Sequence, residues 1–133
     1  LAEASIDEIA AWKIALAGLE PQTGNRYPAE LSGGMLKRAA LARALVLKPE
    51  ALLYDEPTTG LDPVMTHRIN RLISELQKKL SVTSVVVTHD LQSAFAVADR
   101  LAFLQKGQIR LVGTREELHA SKNLALHEFL FSG

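Results

Sequence analysis

Residues Ala51 to Pro63 read ALLYDEPTTGLDP. The apolar run Ala51, Leu52, Leu53, Tyr54 has the length and composition of a buried strand, and it stops at two adjacent carboxylates, Asp55 and Glu56. Pro57 lacks an N–H and cannot continue a central strand, so the acidic pair is expected where a strand leaves its sheet. In a parallel sheet that is the edge along which the ligand crevice opens. The stretch therefore predicts an α/β domain with a largely parallel sheet and a charged crevice.

Strand side chains alternate, so consecutive carboxylates face different ways. One is then suited to a hydrated Mg²⁺ and the other to a water molecule. At this point an acidic turn capping a helix explains the pair equally well. The neighbouring motifs separate the two readings. Leu31-Ser32-Gly33-Gly34 lies upstream, Gly60-Leu61-Asp62 follows the acidic pair, and His89 follows the β-branched run Val85 to Thr88. In content, order and spacing this chain resembles the ATP-binding subunits of ABC transporters. Leu52 to Glu56 match that family's Walker B motif, and Leu31 to Gly34 match its signature. Gly60 to Asp62 match the D-loop, and His89 matches the switch histidine.

The resemblance implies the C-terminal part of a P-loop NTPase-type ABC ATPase domain, with part of the helical subdomain that carries the signature. Residues 1–48 would belong to that subdomain, 49–113 to the sheet core and 114–133 to C-terminal helices. ATP and Mg²⁺ are the implied cofactors. Leu31, Ser32, Gly33, Gly34 and Met35 would bind the nucleotide, Asp55 would hold Mg²⁺ through water, and Asp62 would meet the other subunit. Glu56 and His89 would be catalytic. Met35 stands where the family more often has glutamine, which removes one polar side chain from the phosphate site. The implied partners are a second ATP-binding subunit, as a homodimer, and transmembrane permease subunits, at the cytoplasmic face of the inner membrane. LSGGM with Lys37-Arg38 and ALARAL, TSVVVTHD, SAF and ADR are similar to the lipid-transport branch (Mla, toluene-tolerance and Mce-associated systems). That branch adds an Mce-type lipid-binding protein as a partner. A non-transport ABC-type ATPase and a non-enzymatic truncated dimerisation module are the competing readings.

Composition narrows the field. Of 133 residues, 47% are hydrophobic, enough for a core, whereas a complete subunit of the family is roughly twice as long. The chain begins with Leu1, and no Gly is followed by Lys, so GxxxxGK[ST], which cradles nucleotide phosphates, does not occur. Both observations lead to the expectation of a fragment. Fifteen Lys plus Arg balance fifteen Asp plus Glu, which gives no field to attract nucleic acid. Cysteine is absent, excluding disulfides and thiolate metal sites.

In chain order, Ser5 and Glu8 form a candidate capping box for a helix to Leu19 that would pack Ile6, Ile9, Trp12 and Leu16. Asn25 to Glu30 reads as a loop. Ser32 is a good N-cap for a helix from Met35 to about Leu47, with Leu36, Ala40, Leu41, Ala44 and Leu45 inward and Lys37 and Arg38 on a solvated face. Asp62 caps and Pro63 opens a helix to about Leu80 that buries Ile69, Leu72, Ile73, Leu76 and Leu80. Val82 to Thr88 is expected as a central strand. A helix from Asp90 to about Ala98, with Leu91, Ala94, Phe95 and Ala98 inward, precedes strands Leu101 to Leu104 and Gln108 to Val112. Lys106-Gly107 joins these strands, and Thr114 with Glu117 boxes another helix. Asn123 to Phe131 reads as an amphipathic helix, and His67, His119 and His127 as surface or helix residues.

Overall fold

The computed structural model describes residues 5–121 and 126, and their packing separates two compact units between Val87 and Thr88. The expected divisions at 48/49 and 113/114 follow the motifs. The helix expected over Asn123 to Phe131 and His127 lie outside the described residues.

The first unit runs α1 (Ile6–Leu16), two short 3₁₀ turns (Pro21–Asn25 and Pro28–Glu30), α2 (Gly33–Leu45), β1 (Ala51–Asp55), α3 (Pro63–Leu80) and β2 (Thr83–Val87). β1 and β2 pair in parallel, Leu53 opposite Val85 and Asp55 opposite Val87. One face of this pair lies on a core of Leu41, Leu45, Leu52, Leu76 and Val82, with Leu16, Tyr54 and Leu72 packed against it. The other face is open. Leu53 is 81% exposed and Val85 and Val87 are also exposed, so both strands are half-buried rather than buried on both sides as their composition predicts.

Local signals placed the helix starts well. Ser5 and Glu8 make the full capping box, the Ser5 amide donating to Glu8 Oε2 at 2.8 Å and the Glu8 amide to Ser5 Oγ at 3.2 Å. α3 has the expected bounds, and its cap is Asp62, whose Oδ1 accepts the Met65 amide at 3.0 Å. α1 ends earlier than expected because Gly18 turns the chain at φ +73°.

Helix faces differ more. Ile6 and Trp12 are exposed, Lys13 Nζ lies 4.5 Å from the Trp12 ring centroid, and Lys13 with Ala17 forms the covered side of this segment. In α2 the buried stripe is Gly34, Leu41, Ala42 and Leu45, while Leu36, Ala40 and Ala44 are exposed and Lys37 and Arg38 are half-buried. Their heads explain it, since each finds backbone oxygen: Lys37 Nζ donates to the Glu56 carbonyl at 3.0 Å and Arg38 Nη1 to that of Gly18 at 2.8 Å. A long basic side chain with its head satisfied buries its stem without penalty. Leu80, expected inward on α3, is exposed, and Asn70 is buried.

The second unit holds α4 (Leu91–Val97), β3 (Leu101–Gln105), β4 (Gln108–Gly113) and α5 (Arg115–Ala120). β3 and β4 form an antiparallel hairpin, so among the described residues only the β1–β2 pair is parallel. Lys106 and Gly107 both have positive φ, 49° and 73°, as a two-residue hairpin turn that follows strand twist requires. Thr114 and Glu117 complete the predicted box on α5. In α4 the buried residue is Ser93, and Ala98, expected inward, is exposed at its C-cap.

The register of β1 gives a sharp mutational contrast. Leu52→Ala should lower the free energy of unfolding in urea by about 2–4 kcal/mol, and Leu53→Ala by no more than about 0.5 kcal/mol. Equal losses would contradict the pairing described above.

Candidate functional site

β1 delivers Asp55 to the end of the parallel pair, on its open face and exposed to solvent. Glu56 then leaves the strand with φ +47°, in the left-handed region where a non-glycine residue costs on the order of 1 kcal/mol. Several bonds hold it there. Its amide donates to the Val87 carbonyl at 2.9 Å, and its own carbonyl accepts Lys37 Nζ at 3.0 Å. Thr59 Oγ1 donates to Glu56 Oε2 at 2.8 Å, which orients the carboxylate. Asp55 and Glu56 thus differ in setting, one open to water and the other half-buried and bonded.

The start of α2 is built for close approach. Ser32 Oγ accepts the Met35 amide at 3.3 Å, and Leu31 and Met35 are half-buried while Ser32 and Gly33 are exposed. A Cβ at Gly34 would meet the Met65 methyl group, and one at Gly33 would lie 3.7 Å from Leu61 Cδ2. Glycine at 34 therefore lets the start of α2 lie against the start of α3, beside the cap residue Asp62. Two helix N-termini, each with unsatisfied N–H groups and the positive end of a helix dipole, come together in this unit.

Ser32, Gly33, Gly34, Met35, Asp62 and Glu56 are thus brought into one packed unit, with Lys37 as the link between α2 and the end of β1. Thr59 and Met65 escaped the sequence reading, which placed Leu61 in the D-loop motif and Lys37 on a solvated helix face. Lys37 was visible only as a basic residue on a helix, because its acceptor lies nineteen residues away.

His89 belongs to the second unit, two positions beyond β2 along the chain, and is exposed. Beside it, Asp90 caps α4, its Oδ1 accepting the Gln92 amide at 2.9 Å and its Oδ2 the Ser93 hydroxyl at 2.6 Å. The Ser93 hydroxyl is the main cause that holds the Asp90 carboxyl below the usual carboxylate range; partial burial opposes it, and backbone amides and the His89 charge assist. His119 stacks on Phe95 at 5.5 Å between centroids, and Arg115 lies 4.8 Å from the centre of the same ring, so this histidine packs within its own unit.

No cluster of three or more His, Cys, Asp or Glu able to hold a metal occurs among the described residues. Mg²⁺ is commonly held by one or two carboxylates, with water and phosphate oxygens completing its octahedron. Asp55, exposed at the strand end, suits that part.

The Asp90 cap carries a pH signature. A folded-state value below the unfolded one stabilises the fold above about pH 4, and that contribution is lost as the pH falls through the depressed value. Ser93→Ala should raise the Asp90 value toward the usual carboxylate range in an NMR titration. An unchanged value would remove the hydroxyl as the cause.

Comparison with known proteins bears on the fold and the family. The family model described as ABC transporter matches residues 3–59. The Fe(3+) ions import ATP-binding protein FbpC 2 of Rhizobium meliloti (strain 1021) is 45% identical over 86% of this chain and 29% of its own length. The probable ribonucleotide transport ATP-binding protein mkl of Mycobacterium tuberculosis (strain ATCC 25618 / H37Rv) is 41% identical over 96% of this chain and 35% of its own. Among solved structures, the dimeric post-hydrolysis state of the ATP-binding cassette MJ0796 bound to ADP and Pi matches with a TM-score of 0.71 and 34% identity, over 85% of this chain and 50% of that one. The ADP conformation of MJ1267, an ATP-binding cassette of an ABC transporter, matches with a TM-score of 0.77 and 29% identity, over 95% and 51%. The chain therefore spans about a third of the length of these curated relatives and about half that of the cassettes. Fold, motif order and likeness converge: the chain has the fold of part of an ATP-binding cassette of the ABC-transporter kind, and its residues 3–59 match that family's model.

Proposed function

We propose that this chain supplies the signature and Walker B portions of a subunit that binds and hydrolyses ATP to power an ABC transporter. The observation that carries the reading is the joined geometry of α2 and β1. The capped N-terminus of α2 and the fixed carboxylate of Glu56 belong to one packed unit.

In this reading Ser32, Gly33, Gly34 and Met35, at the N-terminus of α2, bind the terminal phosphate of an ATP held on the partner subunit. Asp55 binds Mg²⁺ through water. The metal, when bound with nucleotide, supplies positive charge against the phosphate oxygens. Glu56, its carboxylate oriented by Thr59, accepts the proton of the attacking water, and His89 contacts the terminal phosphate and steadies that water. Asp62, fixed by its capping bond to Met65, contacts the other subunit. Two subunits close head to tail around two nucleotides, and their opening drives permease subunits. The three-part motif division (1–48, 49–113 and 114–133) describes how residues serve this cycle.

No helix among the described residues is long and apolar enough to cross a membrane, so attachment to the cytoplasmic face of the inner membrane would run through the permease. For the cargo we favour phospholipid or another lipid, delivered with an Mce-type protein; LSGGM, Lys37-Arg38, TSVVVTHD, SAF and ADR support that reading. The 45% identity to a protein named for Fe(3+) import favours ferric ion as the second reading.

In the complete subunit, Glu56→Gln should lower steady-state ATP turnover by about 10²–10⁴-fold while ATP binding persists. Unchanged turnover would remove Glu56 from catalysis. Ser32→Arg should prevent ATP-driven dimerisation, seen by light scattering, and a dimer that still forms would refute the signature assignment. With its permease in liposomes, the complex should move fluorescent phospholipid in a Glu56-dependent way. Glu56-dependent uptake of ferric ion instead would replace the lipid reading.

A further inference from the structure

We propose that Lys37 is a positioning residue for Glu56, and that through it α2 joins its own N-terminus to the catalytic carboxylate of the same chain; this rests on the reading of Glu56 as the base. Three observations lead there. Lys37 is half-buried on α2, one helical turn beyond Gly33, and its ammonium is directed at the Glu56 carbonyl, 3.0 Å away. Glu56 occupies a left-handed conformation that costs a non-glycine residue on the order of 1 kcal/mol. Its amide is held by Val87 at the end of β2 and its side chain by Thr59, and the Lys37 bond adds a cationic donor from α2.

The consequence is mechanical. The N-terminus of α2 is packed on α3 through Gly34 and Met65, so a displacement of α2 is felt at Lys37 and, through its bond, at the peptide that aims the Glu56 carboxylate. Engagement of a phosphate at Ser32 to Met35 thereby reaches the carboxylate at the other end of the link. Since the phosphate at the signature belongs to the partner's nucleotide in the proposed sandwich, occupancy of one site orients the base of the other. Arg38, the next residue, points elsewhere: its donors go to the carbonyls of Gly34 and Gly18, which assigns it to holding α1 and α2 together.

The test uses the complete subunit with Lys37→Met, which keeps the stem and removes the donor, Lys37→Arg, which keeps a donor, and Glu56→Gln. Lys37→Met should lower kcat on the order of 100-fold, the loss typical of a misplaced reacting group. ATP affinity and the thermal midpoint should stay at the wild-type level, and Lys37→Arg should recover most of the rate. Lys37→Gln, too short to reach the carbonyl, should reproduce the loss and serves if the methionine variant does not fold. Turnover that is abolished in Glu56→Gln but intact in both Lys37→Met and Lys37→Gln overturns this proposal and spares the reading of Glu56. A loss matched by a fall in thermal midpoint and not recovered by arginine also overturns it, leaving Lys37 a structural residue. Full turnover in Glu56→Gln overturns the base assignment and the proposal with it.

Discussion

The hydrogen bond from Lys37 to the Glu56 carbonyl is the constraint that ties α2 to the end of β1. It spans 3.0 Å between a helix and the end of a strand, and it fixes a glutamate in a backbone conformation that disfavours it. Bonds from the surrounding structure offset the roughly 1 kcal/mol that such a conformation costs. Here the ladder to Val87, the Thr59 hydroxyl and the Lys37 ammonium do so together. The elements that meet at this point, α2 and β1, are also those that carry the two motifs to which the proposed chemistry is assigned.

The same geometry explains why α2, which buries Leu41 and Leu45 as expected, departs elsewhere from a reading by hydrophobicity alone. Leu36, Ala40 and Ala44 were expected inside because they are apolar, and Lys37 and Arg38 outside because they are charged. The helix instead turns its basic pair inward, where carbonyls of Glu56 and Gly18 satisfy them. Those acceptors lie nineteen and twenty residues away, beyond any periodicity in the helix itself. What was legible were the local devices: the Ser5 box, the Ser32 and Asp62 caps, Pro63, the Lys106-Gly107 turn and the Thr114 box. Each is decided within three or four residues, so no tertiary contact was needed to read it. The site was legible to the same depth. Its motif residues were named from their order, but Thr59, Met65 and Lys37 emerged only from packing.

The open face of β1 and β2 has a related cause. Parallel strands in α/β proteins are normally covered on both sides, and their composition reflects it. Leu53, Val85 and Val87 have that composition, yet they lie exposed among the described residues. The cassettes this chain matches are about twice its length. Asp55 shares that open face, so the same side of the sheet that lacks cover also carries the carboxylate proposed for Mg²⁺.

The central claim is that these 133 residues hold the acidic and signature parts of a nucleotide site but not the backbone cradle for its phosphates, since GxxxxGK[ST] does not occur in them. Calorimetric titration of the chain with Mg-ATP tests this most directly. The account predicts no measurable heat of binding, with Asp55, Glu56 and Ser32 to Met35 awaiting phosphates that other residues must hold. Tight binding, weakened by Asp55→Ala, would contradict it and locate a complete nucleotide site within the chain.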